Sequence, residues 1–164
     1  MAETAPPWPD REGGVSLLLA HHGTAGARRA EPLALELARL QGARVCQLLV
    51  VPEFWSEMLG DDWLNNASTR DEFGAYVEKL LSREAAREIQ GVRERCQAAG
   101  LEHLSLLRQG DPTDALIDCV REIQPVMVVI GPRRPAHFPG LHSRMRIPEL
   151  LRGLTVPLVI APWR

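Results

Sequence analysis

Short apolar runs separated by segments of helical periodicity predict an α/β domain: a five-stranded parallel sheet, doubly wound by helices on both faces. Two observations carry this reading. Val45-Cys46-Gln47-Leu48-Leu49-Val50-Val51 and Val126-Met127-Val128-Val129-Ile130 are near-continuous apolar runs, as strands buried on both faces must be. Between such runs, apolar residues recur three and four positions apart, so consecutive strands are joined by right-handed helical crossovers. With 164 residues and 45% hydrophobic content, the chain suffices for one domain with a proper core. It divides into a disordered tail over 1–14 and a domain over 15–164.

The tail, Met1 to Gly14, holds Pro6, Pro7 and Pro9 and no apolar core of the signal-peptide kind. Val15 to Ala20 reads as the first strand and runs into His21-His22-Gly23-Thr24. A helix follows over 28–41, with Ala30, Leu33, Leu37 and Leu40 as its apolar stripe and Gly42 as its cap. Pro32 is compatible only with the first turn of that helix. The second strand, Val45 to Val51, stops at Pro52. From Glu53 to Ser68 no period is legible, and Trp55 and Trp63 either cap the core or face a partner.

Ser68 or Thr69 is placed to cap a long helix ending near Ala99, with Phe73, Tyr76, Val77, Leu80 and Leu81 as its buried stripe. Leu101 to Arg108 alternates loosely as the third strand. Asp111 then offers a capping carboxylate, and Pro112 fits the first helical position. Leu116, Cys119, Val120 and Ile123 form the buried face of this helix, which ends at Gln124-Pro125. After the fourth strand, Ile147 to Arg152 is a short helix closed by Gly153, and Val156 to Ala161 is the fifth strand.

The net charge of −2 argues against a general nucleic-acid binder. Its distribution is uneven: no acidic residue lies between Ile123 and Pro148, a stretch that holds Arg133, Arg134, Arg144, Arg146, His137 and His142. This basic loop is either a solvated surface or an anion pocket. The three cysteines, Cys46, Cys96 and Cys119, fall on predicted strands and helices without disulfide or CxxC spacing, as suits a reducing cytoplasm. No run approaches the roughly 18 apolar residues of a membrane helix.

Gly131, at the end of the fourth strand, opens a segment that resembles the phosphate loop of the universal stress proteins, Gly-x2-Gly-x9-Gly-Ser/Thr. Laid ungapped on this chain, the motif falls on Gly131, Arg134, Arg144 and Met145, so only its first glycine is present. The glycines of the motif admit backbone amides to phosphate oxygens, and its hydroxyl adds a donor at a helix start. Arginine and methionine do neither. The likeness extends from Val15 onward. His22-Gly23-Thr24 stands where the family carries Asp-Gly-Ser, its aspartate serving the adenine pocket, and Gly110-Asp111-Pro112 matches a loop before the third helix.

The resemblance implies strand order 3-2-1-4-5 and a crevice between the first and fourth strands, at their carboxyl ends. The resemblance and the basic loop together mark a cofactor-binding set of His22, Gly23, Thr24, Val50, Gly131, Arg133, Arg134, Arg144, Met145 and Arg146. The resemblance further implies a cytoplasmic, non-enzymatic stress-response or regulatory protein, homodimeric through 156–161, without nucleic-acid or membrane partners. Its altered crevice would hold a small anion or a weakly bound nucleotide, with ATP or AMP as doubtful cofactors. The alternatives are a genuine ATP- or AMP-binding member and a nucleotidyltransferase-like enzyme. For the latter, His21-His22-Gly23-Thr24 matches His-x-Gly-His only in part. A metal site at His21 and His22 with His137 or His142 is disfavoured, because adjacent histidines on an extended segment face opposite ways.

Overall fold

The computed structural model describes residues 14–21, 23–51, 67–139 and 143–163, with backbone alone at 67–78 and 81. The expected tail, His22, Trp55, Trp63, His142 and the side chains of Phe73, Tyr76, Val77 and Leu81 lie outside the described residues. Five strands, β1 (Ser16–Ala20), β2 (Arg44–Val51), β3 (His103–Gln109), β4 (Met127–Ile130) and β5 (Leu158–Ile160), form one parallel sheet in the order β3-β2-β1-β4-β5. This is the predicted architecture. In the centre, Leu18 of β1 lies opposite Cys46 of β2 on one side and Val128 of β4 on the other.

Helices α1 (Ala25–Gln41) and α2 (Ala67–Ala98) cover one face of the sheet, and α3 (Pro112–Ile123) and α4 (Ile147–Gly153) cover the other. Alternation along the strands sorts the core accordingly. Leu17, Leu19, Val45 and Val129 pack with Ala30, Ala34, Val92 and Cys96 on the first face, while Leu18, Cys46, Leu48 and Val128 pack with Leu116, Cys119 and Leu150 on the second. The three cysteines are free and buried in these layers.

Two helices depart from expectation in detail. α1 begins at Ala25 rather than at 28, because the Thr24 side chain accepts the Ala27 N–H and caps it. Pro32 therefore lies in the helix interior, not in its first turn. Being exposed, it leaves the Arg28 carbonyl it cannot bond on the solvent side, where water can satisfy it. The buried face of α1 is Ala27, Ala30, Ala34 and Ala38 with Gly26 and Glu31, whereas Leu33 and Leu37 are half-buried and Leu40 is 66% exposed. Close approach to the sheet selects alanine. Gly42 caps the end in the left-handed region, as predicted.

In α2, Ser68 and Thr69 lie inside the helix, which starts at Ala67, and Leu80 is exposed. Its buried contacts come from Ala85, Val92 and Cys96, further along, where the helix crosses the sheet. α3 follows expectation: the Asp111 carboxylate accepts the amides of Thr113 and Asp114, Pro112 opens the helix, and Leu116, Cys119 and Val120 are buried.

Candidate functional site

The chain leaves β1 toward one face of the sheet and β4 toward the other, so a crevice opens at the carboxyl ends of these neighbouring strands. Its volume is about 480 Å³. Ala20, Ile130, Met145, Ile147, Pro148 and Ile160 give it apolar walls, and Thr24, Arg133, Ser143, Arg146 and Glu149 supply polar groups.

The base of the crevice is a backbone contact. A β-carbon on Gly131 would stand 2.3 Å from the Gly26 carbonyl carbon, and one on Gly26 would stand 2.6 Å from the Pro132 carbonyl oxygen. The first turn of α1 and the loop leaving β4 can meet this closely only without side chains. Farther along that loop, Phe138 packs edge-on against Trp163 at 5.0 Å, and the Arg29 guanidinium lies 4.4 Å over the same indole. The far wall is tied to α3: the Arg146 N–H donates to the buried Thr113 hydroxyl at 2.9 Å.

Of the residues expected from sequence, Thr24, Gly131, Arg133, Met145 and Arg146 line this crevice together. Gly23, Val50, Arg134 and Arg144 do not. Val50 is 8% exposed and packs in the same core layer as Ala20 and Ile130, one strand further from the crevice. Gly23, at φ 71°, faces the other way: a β-carbon there would lie 2.8 Å from the Glu88 carboxyl group on α2. His22 lies outside the described residues.

The basic loop is thus divided rather than gathered. Arg146 is answered by α3, its Nη2 lying 3.2 Å from Asp111 Oδ1 and 3.5 Å from Asp114 Oδ1. Arg133 makes no hydrogen bond or ion pair with any described residue.

Ser143 escaped the sequence reading. The ungapped motif placed its hydroxyl position on Met145, yet a hydroxyl two residues earlier lines the crevice. Its Oγ accepts the Met145 N–H at 3.2 Å, which leaves its own proton to donate. Thr24 is in the same state, since its oxygen is already engaged by the Ala27 N–H at 3.1 Å. A gapped reading allowing a serine near the motif's end is the signal that would have found it.

His21 belongs to the opposite side of the sheet. It is fully buried, and the Gly23 N–H donates to its Nδ1 at 3.3 Å, so Nε2 carries the proton and donates to Glu31 Oε2 at 3.1 Å. Arg95 grips the same carboxylate through Nε and through Nη2. Burial alone would push the Glu31 carboxyl up, but the hydrogen bonds from His21 and Arg95 outweigh it and hold the group below the ordinary 4.5. Glu88 stands 3.8 Å from His21 Nδ1 and pairs with Arg28 at 2.8 Å. Of the two adjacent histidines, this one is a core histidine. Among the described residues, no three His, Cys, Asp or Glu side chains could share a metal ion, and no helix is long and apolar enough to cross a membrane.

The family model of the universal stress proteins matches residues 16–161, which takes in all five strands and the crevice. The chain belongs to the universal stress protein family. No curated protein sequence matches it. Among solved structures, this universal stress protein is similar to a family member from Burkholderia pseudomallei, at 23% identity and a TM-score of 0.65, over 90% of this chain and 95% of that one. It is similar to the universal stress protein of Archaeoglobus fulgidus in complex with dAMP, at 18% identity and a TM-score of 0.57, over 91% and 98%. A family protein from Arabidopsis thaliana with AMP bound matches at 14% identity and a TM-score of 0.57, over 89% and 90%. At such identities the likeness is one of fold.

Proposed function

We propose that this universal stress protein is a stress-response binding protein that acts without turnover, its β1–β4 crevice receiving an adenine nucleotide or a small anion. One observation carries this reading: at the switch point of the sheet, apolar walls large enough for a base lie beside hydroxyl and guanidinium donors. The AMP and dAMP bound by the plant and archaeal neighbours agree with it. Absence of turnover is supported by His21, which is locked onto Glu31 away from the crevice and cannot serve a transferring phosphate. The buried free thiols suit a reducing cytoplasm.

The departures from the family motif weaken phosphate binding through backbone amides, because Arg134 and Arg144 stand where the motif has glycine. Side-chain donors take their place. Isothermal titration of the full chain with AMP is the test, and binding in the micromolar range that competes with phosphate supports the reading. Absence of heat with AMP, ATP and phosphate alike would remove it.

A further inference from the structure

We infer that the crevice selects ligands with a single phosphoryl group on an apolar body, held by Arg133, Ser143 and Thr24. This deepens the nucleotide-binding reading and rests on it. The number of phosphates follows from the charges and donors around the crevice. Arg133 is the lining guanidinium with no protein partner among the described residues, whereas Arg146 is already shared by Asp111 and Asp114. In the same crevice, Ser143 and Thr24 each accept a backbone N–H, which anchors the oxygen and leaves the O–H proton for an incoming acceptor.

One guanidinium fork and two hydroxyl protons match the oxygens of one phosphoryl group. Second and third phosphates would find no further uncommitted cation among the described lining residues, and they would add charge near Glu149, Asp111 and Asp114. The apolar walls from Ala20, Ile130, Met145, Ile147 and Ile160 ask for more than inorganic phosphate: an attached base or comparable ring.

The test is titration calorimetry of the full chain with AMP, adenosine, inorganic phosphate, and ATP with and without magnesium, repeated on Ser143→Ala and Arg133→Gln. Both positions are exposed, so the variants should fold, and their melting curves check that. AMP should bind about tenfold or more tightly than ATP, with or without magnesium. Each variant should lose roughly ten- to a hundredfold in AMP affinity, the loss of one bond to a charged group, and keep its adenosine affinity.

Tighter binding of magnesium-ATP than of AMP overturns the single-phosphoryl inference while leaving the nucleotide reading standing. Variants that bind AMP like the wild type, or that lose adenosine equally, overturn the assignment of these side chains. No binding of any of the five probes removes the inference and the nucleotide reading together.

Discussion

Gly26 and Gly131 meet backbone to backbone, with the β-carbon position of Gly131 only 2.3 Å from the Gly26 carbonyl carbon and 2.6 Å from the Ala27 nitrogen. The one glycine of the phosphate motif present in this chain thus has a packing duty independent of any ligand. It lets α1 lie against the loop leaving β4, and this contact sets the base of the crevice.

Gly131→Ala should therefore destabilise the fold by about 2–4 kcal/mol, since the obstructing atoms are backbone and cannot rotate aside. Gly26→Ala meets the Pro132 carbonyl oxygen at 2.6 Å and should cost a similar amount. Gly42→Ala has open space around its β-carbon and loses only left-handed freedom, about 1 kcal/mol. Chemical denaturation of the three variants checks this order. Equal losses at all three positions would show that backbone crowding is not what these glycines relieve.

The same contact explains what the sequence did and did not disclose. Strand runs, the Asp111-Pro112 helix start and the Gly42 cap were legible because each is a local signal with a local cause. The alanine face of α1 was not, since leucines spaced along a helix look like a core stripe until the closeness of the neighbouring backbone is known. Placement of Thr24, Gly131, Arg133, Met145 and Arg146 in one crevice followed from topology. Ser143 was hidden by an ungapped motif. The pairing of His21 with Glu31, ten residues on and buried, has no sequence marker at all.

Glu31→Leu should cost about 2–4 kcal/mol, because the buried His21 Nε2–H loses its acceptor while the half-exposed Arg95 can turn to water. The acid response gives a second readout. With its carboxyl held below the ordinary 4.5, Glu31 resists protonation that the unfolded chain accepts, so stability present above that pH is lost as pH falls through the folded value. Glu31→Gln should flatten this part of the stability curve. An unchanged acid limb in that variant would rule out Glu31 as its source.

His103 acts over a higher window. Burial pushes its imidazole down to about 4 from the ordinary 6.5, and the Arg93 charge adds to the effect. Its Nε2 lies 3.0 Å from Gln47 Oε1, while the buried Nδ1 has no partner among the described residues and could not place a second proton well. Between pH 6.5 and about 4 the unfolded chain binds a proton that the folded chain excludes, so stability should fall with acid across that range. His103→Gln should remove this slope. Urea midpoints measured at half-unit pH intervals decide it, and a slope retained in the variant would assign it elsewhere.

The edge strand β5 supports the proposal of a homodimer. Among the described residues Leu158-Val159-Ile160 pairs only with β4; it carries no charge to guard its edge and leaves Ile160 46% exposed. The opposite edge, β3, carries Arg108, and a charge of that kind discourages strand addition. A second copy laying its own β5 alongside is the simplest cover for an apolar edge. Sedimentation at micromolar concentration should then give about twice 18.2 kDa, and Ile160→Lys should shift the protein toward the single-chain mass. Because Ile160 also lines the crevice, the same variant should weaken AMP binding, which separates the two roles when Leu158→Lys is measured beside it. A wild-type mass of one chain at these concentrations would leave the β5 edge without a partner copy.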